Sequence, residues 1–131
     1  MKVQKMIGWV TILSLAIAFG AFAKAAPSAD LSQLDEKDQK LIQQLENEKA
    51  DKRMQAAQKL AERNCVAAES VLLEMMKDDP AYQARIVAAM SLMQLNSKDA
   101  VTAIKKQSEN DPNKIVRNAL SGIVKKMEEN S

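Results

Sequence analysis

The sequence predicts an all-α fold: an α-solenoid, or superhelix, of about three antiparallel helix pairs, preceded by a signal-peptide helix. Three observations predict it. Beyond residue 32 the chain is rich in Ala, Leu, Met, Gln, Glu and Lys, and its apolar residues recur three and four apart, as on a helix with one buried face. No stretch alternates with period two and β-branched residues stand singly, so no sheet is expected. Finally, a set of residues returns at a fixed spacing of 32, which marks one supersecondary unit stacked on copies of itself.

The first element is the leader. Lys2 and Lys5 form a positive start, and Met6 to Ala23 is an almost uncharged apolar run. It ends in Ala21-Phe22-Ala23 and Ala23-Lys24-Ala25, both small-x-small patterns of the kind that signal peptidase reads. Residues 1–25 are therefore expected to be a signal peptide, cut near Ala23–Ala26, giving a periplasmic or secreted protein. The alternative is an uncleaved membrane anchor, since 18 apolar residues could just span a bilayer. No Cys follows the run, which argues against a lipid-modified N-terminus.

Removing the leader changes the bulk properties. All 17 acidic residues lie after Ala26, whereas Lys2, Lys5 and Lys24 lie before it, so the mature chain carries a net charge of −1. A basic isoelectric point is then no argument for a nucleic-acid partner, and none is expected. The 106 residues that remain suffice for one domain with its own core. Cys65 is the only cysteine, which excludes an intramolecular disulfide. It can be a small buried hydrophobe, a free thiol without consequence, or a site of intermolecular pairing.

Residues 26–32, with Pro27, Ser28 and Ser32, read as a short linker, and 33–128 as the helical domain. Helices are expected near 33–47, 50–63, 66–78, 80–95, 98–109 and 112–128, pairing into repeats at about 33–63, 66–95 and 98–128. Leu34, Leu41 and Leu45 supply the buried face of the first, and Val116, Leu120, Ile123 and Met127 that of the last. Breaks fall at Asp79-Pro80 and Asp111-Pro112, where an aspartate N-cap would precede a proline at the first helical position. Asn64-Cys65 and Asn96-Ser97 are the other breaks, with capping residues ahead of Ala-rich runs.

The repeat survives a test against chance. A shift of 32 places Asp79 on Asp111, Pro80 on Pro112, and Arg53 on Arg85 and then Arg117. It also places Ala56-Ala57 on Ala88-Ala89, Leu60 on Leu92 and Val124, and Leu72 on Ile104. Alanine matches alone could be compositional, but Asp, Pro and Arg in the same register are not. These residues resemble the HEAT or HEAT-like repeat family, whose unit is two antiparallel helices with Asp in the turn and Arg six residues later. Asp79/Arg85 and Asp111/Arg117 fit that spacing, and Asn47 stands in the Asp position ahead of Arg53. The resemblance implies a ladder between neighbouring turns built by Arg53, Asp79, Arg85, Asp111 and Arg117. No proline bends the first helices, which favours the shorter HEAT-like unit. A fold of this kind does not by itself imply an activity.

Reactive chemistry is hard to write on this chain. It has no His, one Cys and, in the mature part, only Gly122 and only Tyr82 as its glycine and aromatic. That leaves no Ser/His or Cys/His base, no plausible zinc site and no phosphate-cradling loop. Acidic clusters such as Asp35, Glu36 and Asp38 read as solvated faces and caps. We therefore expect a non-enzymatic protein with no catalytic residues, no cofactor and no metal. Six mature methionines (Met54, Met75, Met76, Met90, Met93 and Met127) read as pliable core, with a Cu(I) thioether site or an adaptable binding surface as alternatives.

A partner would be a protein or peptide of the cell envelope. In each pair the second helix lines the concave side of a solenoid. Its outward strip is polar in the first unit (Asp51, Gln55, Gln58, Glu62) and becomes apolar towards the C-terminus. Val87, Met90, Ile115, Ala119 and Ile123 are the candidate contacts. The strip is either buried between helices or exposed as a groove, and Gly122 suits the second, since a missing side chain admits another backbone. Two other functions remain: an enzyme-assembly factor, because some HEAT-like proteins resemble chromophore lyases, and a membrane-tethered envelope regulator that retains its leader. The sequence leaves the oligomeric state open.

Overall fold

The computed structural model describes residues 31–131, so the expected leader over 1–25 and most of the linker lie outside the described residues. Six α-helices are accompanied by two 3-10 turns, Leu31–Gln33 and Val66–Ala68, with no strand among the described residues. They are α1 (Glu36–Gln44), α2 (Ala50–Glu62), α3 (Glu69–Asp78), α4 (Tyr82–Gln94), α5 (Lys98–Asn110) and α6 (Lys114–Glu129). α2, α4 and α6 begin at residues 50, 82 and 114, the period of 32 read from the sequence. None of the described helices is long and apolar enough to cross a membrane.

The helices pack as three antiparallel pairs, α1/α2, α3/α4 and α5/α6. The second helices form one row, α2 on α4 and α4 on α6, so α4 is the central element. Between the rows lies one core, with Leu60, Leu72, Met76, Leu92, Ile104, Val116 and Leu120 wholly buried. Ala56, Ala57, Ala88 and Ala89 are also fully buried, and their short side chains let α2 and α4 approach closely. Cys65 is a buried member of this core, and burial, with Asp38 second, pushes its thiol above the usual range. Met75, Met76 and Met127 are buried as well, whereas Met90 is exposed.

Three local expectations are corrected. α1 covers 36–44 rather than 33–47, because its end tightens into 3-10 geometry: Leu45, Glu46 and Asn47 donate to Ile42, Gln43 and Gln44. Pro80 and Pro112 are not first helical residues. α4 and α6 start two residues later, with Ala81 and Asn113 as N-caps, because Asp79 and Asp111 fold their carboxylates back onto those residues' N–H groups. Asn64 and Asn96 cap no following helix. Each sits left-handed at φ 55° and closes the preceding one, as Cys65 N–H reaches Leu60 O and Ser97 N–H reaches Leu92 O. Of the residues at these two breaks, only Ser97 caps forward, accepting from Ala100 N–H at 3.2 Å.

Candidate functional site

The turn edge of the stack is built by one device used three times. Asn47, Asp79 and Asp111 each accept, through Oδ1 at 2.9 Å, the N–H two residues on: Lys49, Ala81 and Asn113. Arg53, Arg85 and Arg117 each send Nη1 back to the carbonyl six residues earlier, at 2.7, 2.8 and 2.7 Å. Arg53 and Arg85 use their remaining edge, Nε and Nη2, to grip the carboxylate of the next turn. Arg53 holds Asp79 at 2.7 and 2.8 Å, and Arg85 holds Asp111 at 2.8 and 2.9 Å. Each is a two-bond fork between planar groups, the strongest geometry available to such a pair.

All four paired side chains are buried. Burial opposes ionisation of Asp111, but bonds from Arg85, the Asn113 N–H and Gln107 hold its carboxyl below the ordinary value. The bond from Arg53 to Asp79 raises the guanidinium's own value against the desolvation that opposes it. With every buried side-chain polar atom satisfied among the described residues, the ladder does structural work. It offers no reactive group: each donor that touches a carboxylate is already committed. Nor do any three of His, Cys, Asp and Glu converge as a metal site among the described residues.

The outward strip of the second helices is the other candidate. A groove of about 500 Å³ runs across all three, lined by Gln58 and Glu62 of α2, Val87 and Met90 of α4, and Lys126 of α6. Met90 is 48% exposed and Val87 half-buried. Ile115, at 57%, and the half-buried Ala119 lie outside this groove, on the first half of α6. Ile123 is a correction: it is 8% exposed and belongs to the core, because its place at the flank of the strip turns it towards the row behind. Gly122 is exposed, and a Cβ built there would meet nothing within 4 Å, so the packing of the chain makes no use of the missing side chain.

The sequence pointed to Gln58, Glu62, Val87 and Met90 through their helical spacing. It missed Ser91, Met93 and Asn130, which also border the groove. Met93 has the apolar character of a core residue, and Asn130 lies at the very end of α6 where spacing has little left to repeat.

Comparison with known families matches the model for HEAT repeats over residues 39–123. Neither the curated proteins nor the solved structures give a match.

Proposed function

The chain belongs to the HEAT-repeat family, and from that premise we propose that it is an exported, non-enzymatic interaction module that seats a protein or peptide of the cell envelope on the strip of its second helices. HEAT repeats commonly serve as protein-interaction scaffolds, and the row α2, α4, α6 supplies a continuous face for the purpose. The observation that carries the reading is Met90. A large flexible apolar side chain, 48% exposed beside Val87 in a groove of about 500 Å³, has no packing role to explain it. Gly122 supports it too, as an unfilled position on the neighbouring helix.

Export rests on the leader pattern, from Lys2 and Lys5 through the apolar run to Ala23-Lys24-Ala25. The periplasm, or the space beyond the envelope, is the proposed location. Mass measurement of the protein recovered from cells tests it: a start near Ala26 supports export with cleavage, and an intact leader supports a tethered form.

The binding proposal is tested with Met90→Glu and Ile115→Glu, both at exposed positions, in place of any change at the buried Ile123. Pull-down from envelope extract with the natural chain and the double variant should lose the same partner band in the variant, with an unchanged thermal midpoint. A partner retained by the variant would move the site elsewhere.

A further inference from the structure

A second depression, of about 610 Å³, opens on the turn edge where the first layer meets the second. Its apolar floor is Leu45, Val71 and Met75; its rim carries Glu46, Glu48, Glu74 and Asp78. None of those four carboxylates enters an ion pair among the described residues. Arg53 also borders the cleft, but its charge is matched by Asp79 at 2.7 Å. The opening is thus apolar below and uncompensated negative around.

The cleft exists because the first layer is short at this point. α1 ends in 3-10 turns at Gln44, whereas α3 stays helical to Asp78 and closes with Asp79 N–H on Met75 O. α1 makes no more than marginal contact with α3, so the last turn of α3 lacks a neighbour on that side. The walls are nevertheless tied. The Arg53 guanidinium binds the Asn47 and Glu48 carbonyls at 2.7 and 3.0 Å on one wall and forks onto Asp79 on the other. A cleft held open by a buried fork needs little reordering to accept a ligand.

We propose that this cleft docks a cationic peptide segment of a partner protein. An apolar side chain of Leu or Met size enters between Leu45, Val71 and Met75, while flanking Lys or Arg side chains meet Glu46, Glu48, Glu74 and Asp78. Complementary charge selects the sign of the ligand and speeds its arrival, and the floor supplies the burial. This site is separate from the strip around Met90 and stands whether or not that strip binds anything.

The test uses the full chain and three labelled peptides, read by fluorescence anisotropy: Lys-Lys-Leu-Arg-Lys-Leu, the same with Ser for both Leu, and Glu-Glu-Leu-Glu-Glu-Leu. The first should bind, more weakly as salt rises, and the Ser version about tenfold or more weakly still, as expected for losing buried leucines. Charge reversal at two exposed or half-exposed rim positions, Glu46→Lys with Glu74→Lys, should abolish binding without lowering the thermal midpoint. Met90→Glu should leave it unchanged. Equal binding of the Leu and Ser peptides would overturn the proposal, because it would show bare charge attraction. So would binding that persists in the Glu46/Glu74 variant or is lost in Met90→Glu. Sedimentation showing concentration-dependent association abolished by the rim variant would overturn it too, assigning the cleft to a second copy that inserts Ile115 beside Lys114.

Discussion

At the scale of single residues, the ladder separates two arginines that look alike in sequence. Arg85 is buried and forked onto Asp111, whereas Arg117, at the last turn, is half-buried and bonds only the Asp111 carbonyl among the described residues. Removing Asp111 leaves the Arg85 charge buried without its partner, so Asp111→Ala should cost about 3–5 kcal/mol in urea unfolding. Arg117→Ala removes one carbonyl bond and should cost about 1 kcal/mol or less. The asymmetry at the other end has the same logic: no arginine precedes Asn47, and a neutral amide makes the same turn without a charge to compensate. The Asp111 carboxyl also carries a pH dependence. Its folded value lies below the unfolded one, so its contribution is complete above about pH 4 and disappears as pH falls through the folded value. The stability gap between the natural chain and Asp111→Asn should therefore narrow on acidification below pH ~4, and a constant gap would sink this account.

At the scale of the helix, the ends and one interior position make the sharpest predictions. Asn96 closes α4 in the left-handed region, which costs a side chain with a Cβ about 1–2 kcal/mol unless it bonds locally. Asn96→Ala should lower stability by about 1 kcal/mol, whereas Asn96→Gly should be neutral or better in the same thermal melt. Gly122, in the middle of α6, is helical and faces open space. Gly122→Ala should raise stability by about 1 kcal/mol; a loss would mean that space is needed inside the fold. The period of 32 that relates α2, α4 and α6 was legible because the Asp/Arg register repeats, although α4 and α6 begin two residues later than the Asp-Pro pairs suggest. The fine structure of the breaks was not, since Asp-Pro is equally consistent with an N-cap and with a turn before one. The turn prevails because the side-chain oxygen folds back onto the N–H two residues on, at Asn47 as at Asp79 and Asp111, a contact that the dipeptide itself does not record. The cleft was invisible for a related reason. It depends on α1 ending two residues earlier than its successors, and Gln44-Leu45-Glu46 carries no breaker to say so.

At the scale of the whole molecule, the described layers differ in composition and in how firmly each is held. Three positions of the second helices are apolar in the first two layers and polar in the third. Met54 and Ile86 are succeeded by Asn118, the buried Ala57 and Ala89 by the exposed Ser121, and Ala61 and Met93 by Lys125. The first layer is different. α1 is only nine residues long, packs substantially on α2 only, and is tied further by Arg63 to the exposed Asp35 and the half-buried Asp38, pairs at least partly open to solvent and hence weak. α4, by contrast, packs on α2, α3 and α6. In an array whose stability is a sum of local and neighbour terms, the helix with one neighbour opens first. Native-state hydrogen exchange should therefore find the amides of residues 40–44 opening at markedly lower free energy than those of 88–92. Arg63→Ala should speed exchange in α1 while leaving the centre of α4 unchanged. Because Leu45 forms part of the floor beside Val71 and Met75, an opening of α1 also removes one wall of the cleft, so a cationic peptide seated there should slow exchange in α1. Uniform protection across both helices, insensitive to Arg63, would mean that the array unfolds as one unit and that α1 is no weaker than the rest.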